Sequence, residues 1–167
     1  MRITYNGKHL ADKDYPILHG IMADYPGFVV VVPYEEIPRG RWHHVTWMGE
    51  PEELEVVKQT VAPHMKGGCA CALGGRTIFE ITSSKGTKGK MLDRLKQLIG
   101  IKNPVVWAIG DYENDLLMLR MADRCAMPEN GIDSLRNIPG IVEVCDHDKG
   151  AIADLIHHIE KELDDRK

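Results

Sequence analysis

The spacing of apolar positions changes character part-way along the chain. Up to about residue 82, short strand-like runs are mixed with helical stripes. Ile3, Thr4 and Tyr5 form a short strand signal closed by the turn pair Asn6-Gly7, an isolated start for a domain. Ile17, Leu18, Ile21 and Met22 recur at helical spacing over residues 15–25, and Pro26-Gly27 ends that pattern. Residues 28–32 predict a buried strand, 37–42 a loop and 44–47 another short strand. Pro51 suits a first helical position, Glu52 and Glu53 suit the positive end of a helix, and Leu54, Val57 and Val61 supply its apolar stripe, so a helix runs to near Pro63. Residues 69–73 and 77–82, separated by Gly74-Gly75-Arg76, predict an antiparallel hairpin.

Beyond residue 82 helices and strands alternate strictly, the pattern of a parallel sheet covered by helices. Met91, Leu92, Leu95, Leu98 and Ile99 share one helical face, which Gly100 stops. Residues 105–109 are wholly apolar, as expected for a strand buried on both faces. A helix over 114–122, a strand over 125–127, a helix over 132–137, a strand over 141–145 and a last helix over 152–163 follow. The expected organisation is an α+β unit over 1–82 and an α/β unit over 83–167.

The chemistry concentrates at Gly110-Asp111-Tyr112-Glu113-Asn114-Asp115, where the apolar strand meets the next helix. Open α/β sheets bind ligands at such strand ends. Asp111 and Asp115 stand four apart across that turn, so both carboxylates can face one point, and hard oxygen donors of this kind suit Mg²⁺. A helix cap would need only one Asp. Three acidic groups within six residues repel one another, and a cation offsets that repulsion. Lys88-Gly89 opens the preceding helix, where an ammonium beside free backbone N–H groups favours phosphate. It is not a nucleotide P-loop, because Gly86 and Gly89 are too close and Met91 follows Lys90.

In Ile78-Phe79-Glu80-Ile81, Lys88-Gly89 with Leu92, Gly110-Asp111-x-x-Asn114-Asp115, Met118-Leu119, Ala122-Asp123, Ala126-Met127 with Asn130, and Gly150-Ala151-Ile152-Ala153, the chain resembles the haloacid dehalogenase superfamily. The likeness is to its Cof-type (subfamily IIB) phosphatases, over about residues 78–163. It implies a fold in which 83–167 form the C-terminal half of a Rossmann-like core, a parallel sheet with helices, preceded by a mixed α+β cap. It also implies hydrolysis of phosphate esters of small metabolites, sugar phosphates among them, through an aspartyl-phosphate with Mg²⁺. By resemblance Lys88 offsets charge on nucleophile and phosphate, Asp111 binds the metal directly, Asp115 acts on it directly or through water, and Asn114 and Gly110 support the loop or contact phosphate.

The same resemblance places the nucleophile in an Asp-x-Asp motif ahead of everything matched here. Asp12-Lys13-Asp14 has that spacing but follows polar Gly7-Lys8-His9, and Asp146-His147-Asp148 follows an apolar strand but comes after the acidic loop. Asp146 is thus the weak candidate, and the chain is expected to be inactive alone: a fragment, a truncated product or half of a split assembly. Its sheet should then have an open edge, covered by a homodimer contact or a complementing N-terminal segment. The alternative is a non-catalytic binding module. A phosphoreceiver domain with Asp111 as acceptor would leave residues 1–82 without a place.

At 43% hydrophobic and 28% charged, the 167 residues have a globular composition. A net charge of -4 argues against nucleic acid, and no apolar run approaches membrane-spanning length, so the expected location is cytoplasmic, with no membrane partner. Cys69, Cys71, Cys125 and Cys145 read as reduced, buried thiols. His43-His44 and His157-His158 read as structural or solvent-facing, and Arg41, Trp42 and Trp47 as candidate substrate contacts.

Overall fold

A computed structural model describes residues 1–5, 8–40, 42–65 and 67–165. The chain divides into two compact units, Met1–Gly86 and Thr87–Lys167. The division falls later than residue 82 because Ser83 still closes a strand and the Gly86 N–H donates back to the Ser83 carbonyl at 2.8 Å.

In the first unit, β1 (Arg2–Tyr5), β2 (Lys8–Ala11), β3 (Val29–Val31), β4 (His44–Met48), β5 (Cys69–Gly75) and β6 (Ile78–Ser83) form one six-stranded sheet in the order β3-β2-β1-β4-β6-β5. The opening strand is therefore not isolated: β1 pairs antiparallel with both β2 and β4. The pattern hid β2 because its first residues, Lys8 and His9, are polar, and His9 Nδ1 meets Thr4 Oγ1 across the pair at 3.1 Å. The turn signal Asn6-Gly7 lies outside the described residues. The expected buried strand over 28–32 shortens to β3. Val30 and Val31 stay exposed because β3 lies at the sheet edge with β2 as its neighbour. The helical stripe over 15–25 splits into a 3₁₀ turn, Pro16–Leu18, and α1 (His19–Asp24). In α2 (Pro51–Val61) Pro51 occupies the first turn, and the Glu50 N–H donates to Glu53 Oε2 at 3.2 Å, a capping box that satisfies an otherwise free donor. Ile3, Leu10, Ile37 and Val45 make the main core, with Trp42 and Trp47 packed against it.

In the second unit, β7 (Trp107–Ile109), β8 (Arg124–Pro128) and β9 (Val142–Val144) are parallel, in that order. Alternate side chains serve two cores. Ala108, Cys125 and Met127 pack with Leu119 of α4 (Leu116–Met121) and with Leu135, whereas Ala126 and Val144 pack with Ala151 and Leu155 of α5 (Ala151–Asp164). The strand expected over 105–109 begins at Trp107, leaving Val105 exposed. The helices expected over 114–122 and 132–137 become a 3₁₀ turn, Glu113–Asp115, running into α4, and a 3₁₀ turn, Asp133–Asn137.

In α3 (Lys88–Leu98) the apolar positions that share one helical face are largely exposed: Met91, Leu95 and Leu98, followed by Ile99, are 40–70% accessible. The helix packs instead on α4 through Gly89, where an added Cβ would lie 2.5 Å from Leu117 Cγ. Ile152, Ile156 and Leu163 of α5 are likewise exposed, and among the described residues β7 has a strand neighbour only at β8. Among the described residues, no helix is long and apolar enough to cross a membrane.

Asp123 ties α3 to the start of the sheet, accepting the Val106 N–H at 2.9 Å and the Lys96 ammonium at 3.0 Å. The Val106 N–H first, and Lys96 second, hold its carboxyl below the ordinary Asp value. A depressed folded-state value means stabilisation that is present above the unfolded-state value and lost as pH falls through the folded one. Asp123→Asn is therefore expected to lower the urea midpoint clearly at neutral pH and much less in acid well below about 3.9, the ordinary Asp value. An equal deficit at both pH values would contradict this.

Candidate active site

Lys88 owes its position to the way α3 starts. Thr87 caps the helix, its Oγ1 accepting the Lys90 N–H at 3.4 Å, and Gly89 lets the first turn touch the backbone of Leu117. That contact brings Lys88 Nζ to 2.6 Å from Asp115 Oδ1, although the two residues are 27 apart in sequence.

Asp115 is buried, at 2% accessibility, and both its oxygens are engaged. Oδ1 accepts from Lys88, while Oδ2 accepts the backbone N–H groups of Asp111 at 3.1 Å and Tyr112 at 3.4 Å. Gly110 makes room for this, because a Cβ there would sit 2.4 Å from Asp115 Cβ. The loop is pinned from outside as well: Gly110 N–H donates to the Ala126 carbonyl at 3.2 Å, and the Asp111 carbonyl accepts the Ile132 N–H at 3.0 Å. The Asn114 amide oxygen is buried. The Asp111 carboxylate is exposed and, among the described residues, has no hydrogen-bond or ion-pair partner. The two aspartates thus differ: Asp115 is a buried bracket, Asp111 an outward-facing oxygen donor.

Lys88, Asp111, Asp115 and His147 line one cleft of about 440 Å³, with Gly110 and Met118 among its walls. A hard cation fits its donor set: one unengaged carboxylate, a second held directly behind it, and open space for water and phosphate oxygens. Asp146 is not among the described residues that line the cleft. Its Oδ1 accepts the Asp148 N–H at 2.9 Å, capping the 3₁₀ turn His147–Lys149. Asp12 is also engaged, by the N-terminal ammonium at 2.6 Å and the Tyr15 hydroxyl at 2.7 Å. His147 was missed in the sequence because its loop drew attention for its carboxylates, while the imidazole is what reaches the cleft. A separate cleft in the first unit, about 560 Å³, is lined by Trp42, Trp47, His43 and His44. Arg41 lies outside the described residues. His158 meets Trp107 edge-on at 5.6 Å. The four cysteines are free; Cys125 is buried, with its thiol pushed up by burial, but Cys69 is exposed, against expectation, because the sheet leaves that end of β5 uncovered.

Two substitutions separate the roles of the aspartates. Asp115→Ala would leave Lys88 and two backbone N–H groups without their acceptor, and is expected to cost about 1–3 kcal/mol of stability in urea unfolding. Asp111→Ala, at an exposed site, should change it by no more than about 0.5 kcal/mol. Similar losses in both variants would refute the division.

Comparison with known proteins identifies the family and the fold. A profile of haloacid dehalogenase-like hydrolases matches residues 25–156. The chain is 34% identical over 85 residues to the 5-amino-6-(5-phospho-D-ribitylamino)uracil phosphatase YwtE of Bacillus subtilis (strain 168), a stretch covering 51% of this chain and 29% of that one. Its fold is similar to that of a Bacillus subtilis haloacid dehalogenase-like hydrolase, with a TM-score of 0.75 at 16% identity over 94% of this chain and 64% of that one. It is also similar to the subclass IIB sugar phosphatase BT4131, with a TM-score of 0.74 at 18% identity over 95% and 60%. The chain spans about half the length, or less, of the curated relatives it matches. With the profile matching residues 25–156, the chain belongs to the haloacid dehalogenase-like hydrolases, and it has the fold of their subclass IIB phosphatases.

Proposed function

We propose that this chain supplies the phosphate- and metal-binding part of a Mg²⁺-dependent phosphoric monoester hydrolase acting on small phosphorylated metabolites, with sugar phosphates the favoured class. The observation that carries the reading is the pairing of Lys88 with Asp115 at 2.6 Å beside the unengaged carboxylate of Asp111. Asp115 holds the ammonium of Lys88 at the cleft, where its remaining N–H donors can take phosphate oxygens. Asp111 would hold the cation, with Asp115 behind it. Asn114 and Gly110 keep the loop in shape. When bound, Mg²⁺ supplies Lewis-acid neutralisation of the phosphoryl oxygens. The substrates in the names of YwtE and BT4131, a phosphorylated ribitylaminouracil and a sugar phosphate, support the substrate class. Four free thiols support a reducing, cytoplasmic setting.

The nucleophilic carboxylate is proposed to arrive on a strand lying along the open side of β7, since Asp12 and Asp146 are both engaged in local structure. The test is p-nitrophenyl phosphate hydrolysis with Mg²⁺, run with calorimetric binding of inorganic phosphate, on the wild-type chain and its Asp111→Ala and Asp146→Ala variants. Expected are background hydrolysis and Mg²⁺-dependent phosphate binding that Asp111→Ala removes and Asp146→Ala leaves. Wild-type hydrolysis abolished by both changes would make Asp146 the nucleophile, and absent phosphate binding would overturn the reading.

A second reading, an interaction half of a split assembly or a non-catalytic binding module, is favoured by the exposed apolar stripes: Met91, Leu95 and Leu98 on α3, and Ile152, Ile156 and Leu163 on α5. Val105, Trp107, Ile159 and Leu163 form a further apolar cleft beside β7. Such a surface calls for a partner. Sedimentation of the wild type is expected to depend on concentration, and that of a Leu98→Glu, Leu163→Glu variant to stay at the 18.8 kDa of one chain. A wild-type chain that remains monomeric at high concentration would count against self-association.

A further inference from the structure

Among the polar side chains lining the cleft, His147 has no part in the chemistry above. It is nevertheless held in a defined way. Asn130, on the loop after β8, grips it twice: Asn130 Oδ1 accepts the His147 backbone N–H at 3.3 Å, and Asn130 Nδ2 faces the ring at Nδ1. The backbone N–H can only donate, so it fixes which end of the carboxamide is the oxygen. The amide nitrogen is then left for the ring, and it too can only donate. Nδ1 must therefore accept, which puts the proton of the neutral imidazole on Nε2.

The two loops that form this clamp are joined at further points. The Glu129 N–H donates to the Val144 carbonyl at 2.9 Å, and Lys149 Nζ pairs with Glu129 Oε1 at 3.0 Å. The ring is thus carried by a braced wall of the cleft. Its Nε2 lies 3.2 Å from Asp148 Oδ1, a carboxylate 86% exposed. A contact so open to water contributes little. A substrate oxygen can replace it at small cost.

We propose that His147 is a substrate-binding residue, donating its Nε2–H to an oxygen of the bound phosphate monoester, and that Asn130 is the positioning residue that sets its tautomer. This rests on the phosphate-binding reading of the same cleft. The oxygen belongs either to the phosphoryl group or to a hydroxyl of the esterified alcohol, and two ligands separate these sources.

The test is ¹⁵N–¹H multiple-bond NMR of the histidine rings in the full chain with Mg²⁺, alone, with inorganic phosphate, and with a phosphonate analogue of glucose 6-phosphate. The free protein should show His147 as the Nε2–H tautomer, and Asn130→Ala should turn it into a tautomer mixture without altering the far-UV spectrum. A shift of the His147 nitrogens with inorganic phosphate assigns the contact to the phosphoryl oxygens, and a shift with the phosphonate alone assigns it to the hydroxyls. His147→Ala should weaken the ligand that shifts the ring about fivefold, the loss of one hydrogen bond. If the wild type binds phosphate in an Asp111-dependent way while the His147 ring stays unmoved and His147→Ala binds equally well, the inference fails and the phosphatase reading stands. If neither ligand binds, both fall.

Discussion

The second unit is organised around the carboxylate of Asp115. It gathers donors from two stretches far apart in sequence, the Lys88 ammonium on α3 and the backbone N–H groups of Asp111 and Tyr112 at the end of β7. A buried carboxylate left without them would carry a desolvation penalty of several kcal/mol, so the arrangement holds only if all the parts arrive together. Two close approaches make that possible. Gly110 leaves space directly over Asp115, and Gly89 leaves space over Leu117. A methyl group at either position would collide with the structure that orients the lysine.

From this centre the cleft is built outward by hydrogen bonds between loops. The Asp111 carbonyl is tied to Ile132, the loop carrying Asn130 is tied to Val144, and Asn130 in turn holds His147. Loops at the carboxyl ends of all three parallel strands, where open α/β sheets place their ligand crevice, are thereby linked in series. Of Asp111, only the carboxylate stands apart from this mesh, exposed and, among the described residues, without a hydrogen-bond or ion-pair partner.

Much of this was legible in the amino-acid sequence, for reasons particular to each element. Asp111 and Asp115 stood out because their motif sits where an apolar run meets a helix, and Lys88 because it opens a helix; local spacing carries that information. The difference in role between the two aspartates was not legible, since it depends on a contact 27 residues away. β2 escaped because a half-exposed strand beginning with Lys8 and His9 has no apolar alternation to read. The apolar stripe of α3 was visible, yet its direction was not: periodicity finds a face but cannot say what covers it. His147 escaped because a lone imidazole in an acidic loop signals nothing until Asn130 is seen beside it.

Among the described residues β7 has no strand neighbour on the side away from β8, and apolar residues of α5 line a cleft beside it, which has a calorimetric consequence. Whatever covers this surface removes apolar area from water, so its association carries a negative heat-capacity change. The enthalpy of assembly then grows more favourable as temperature rises, while the entropic drive falls. Cooling weakens the contact, and an assembly at this edge would loosen in the cold.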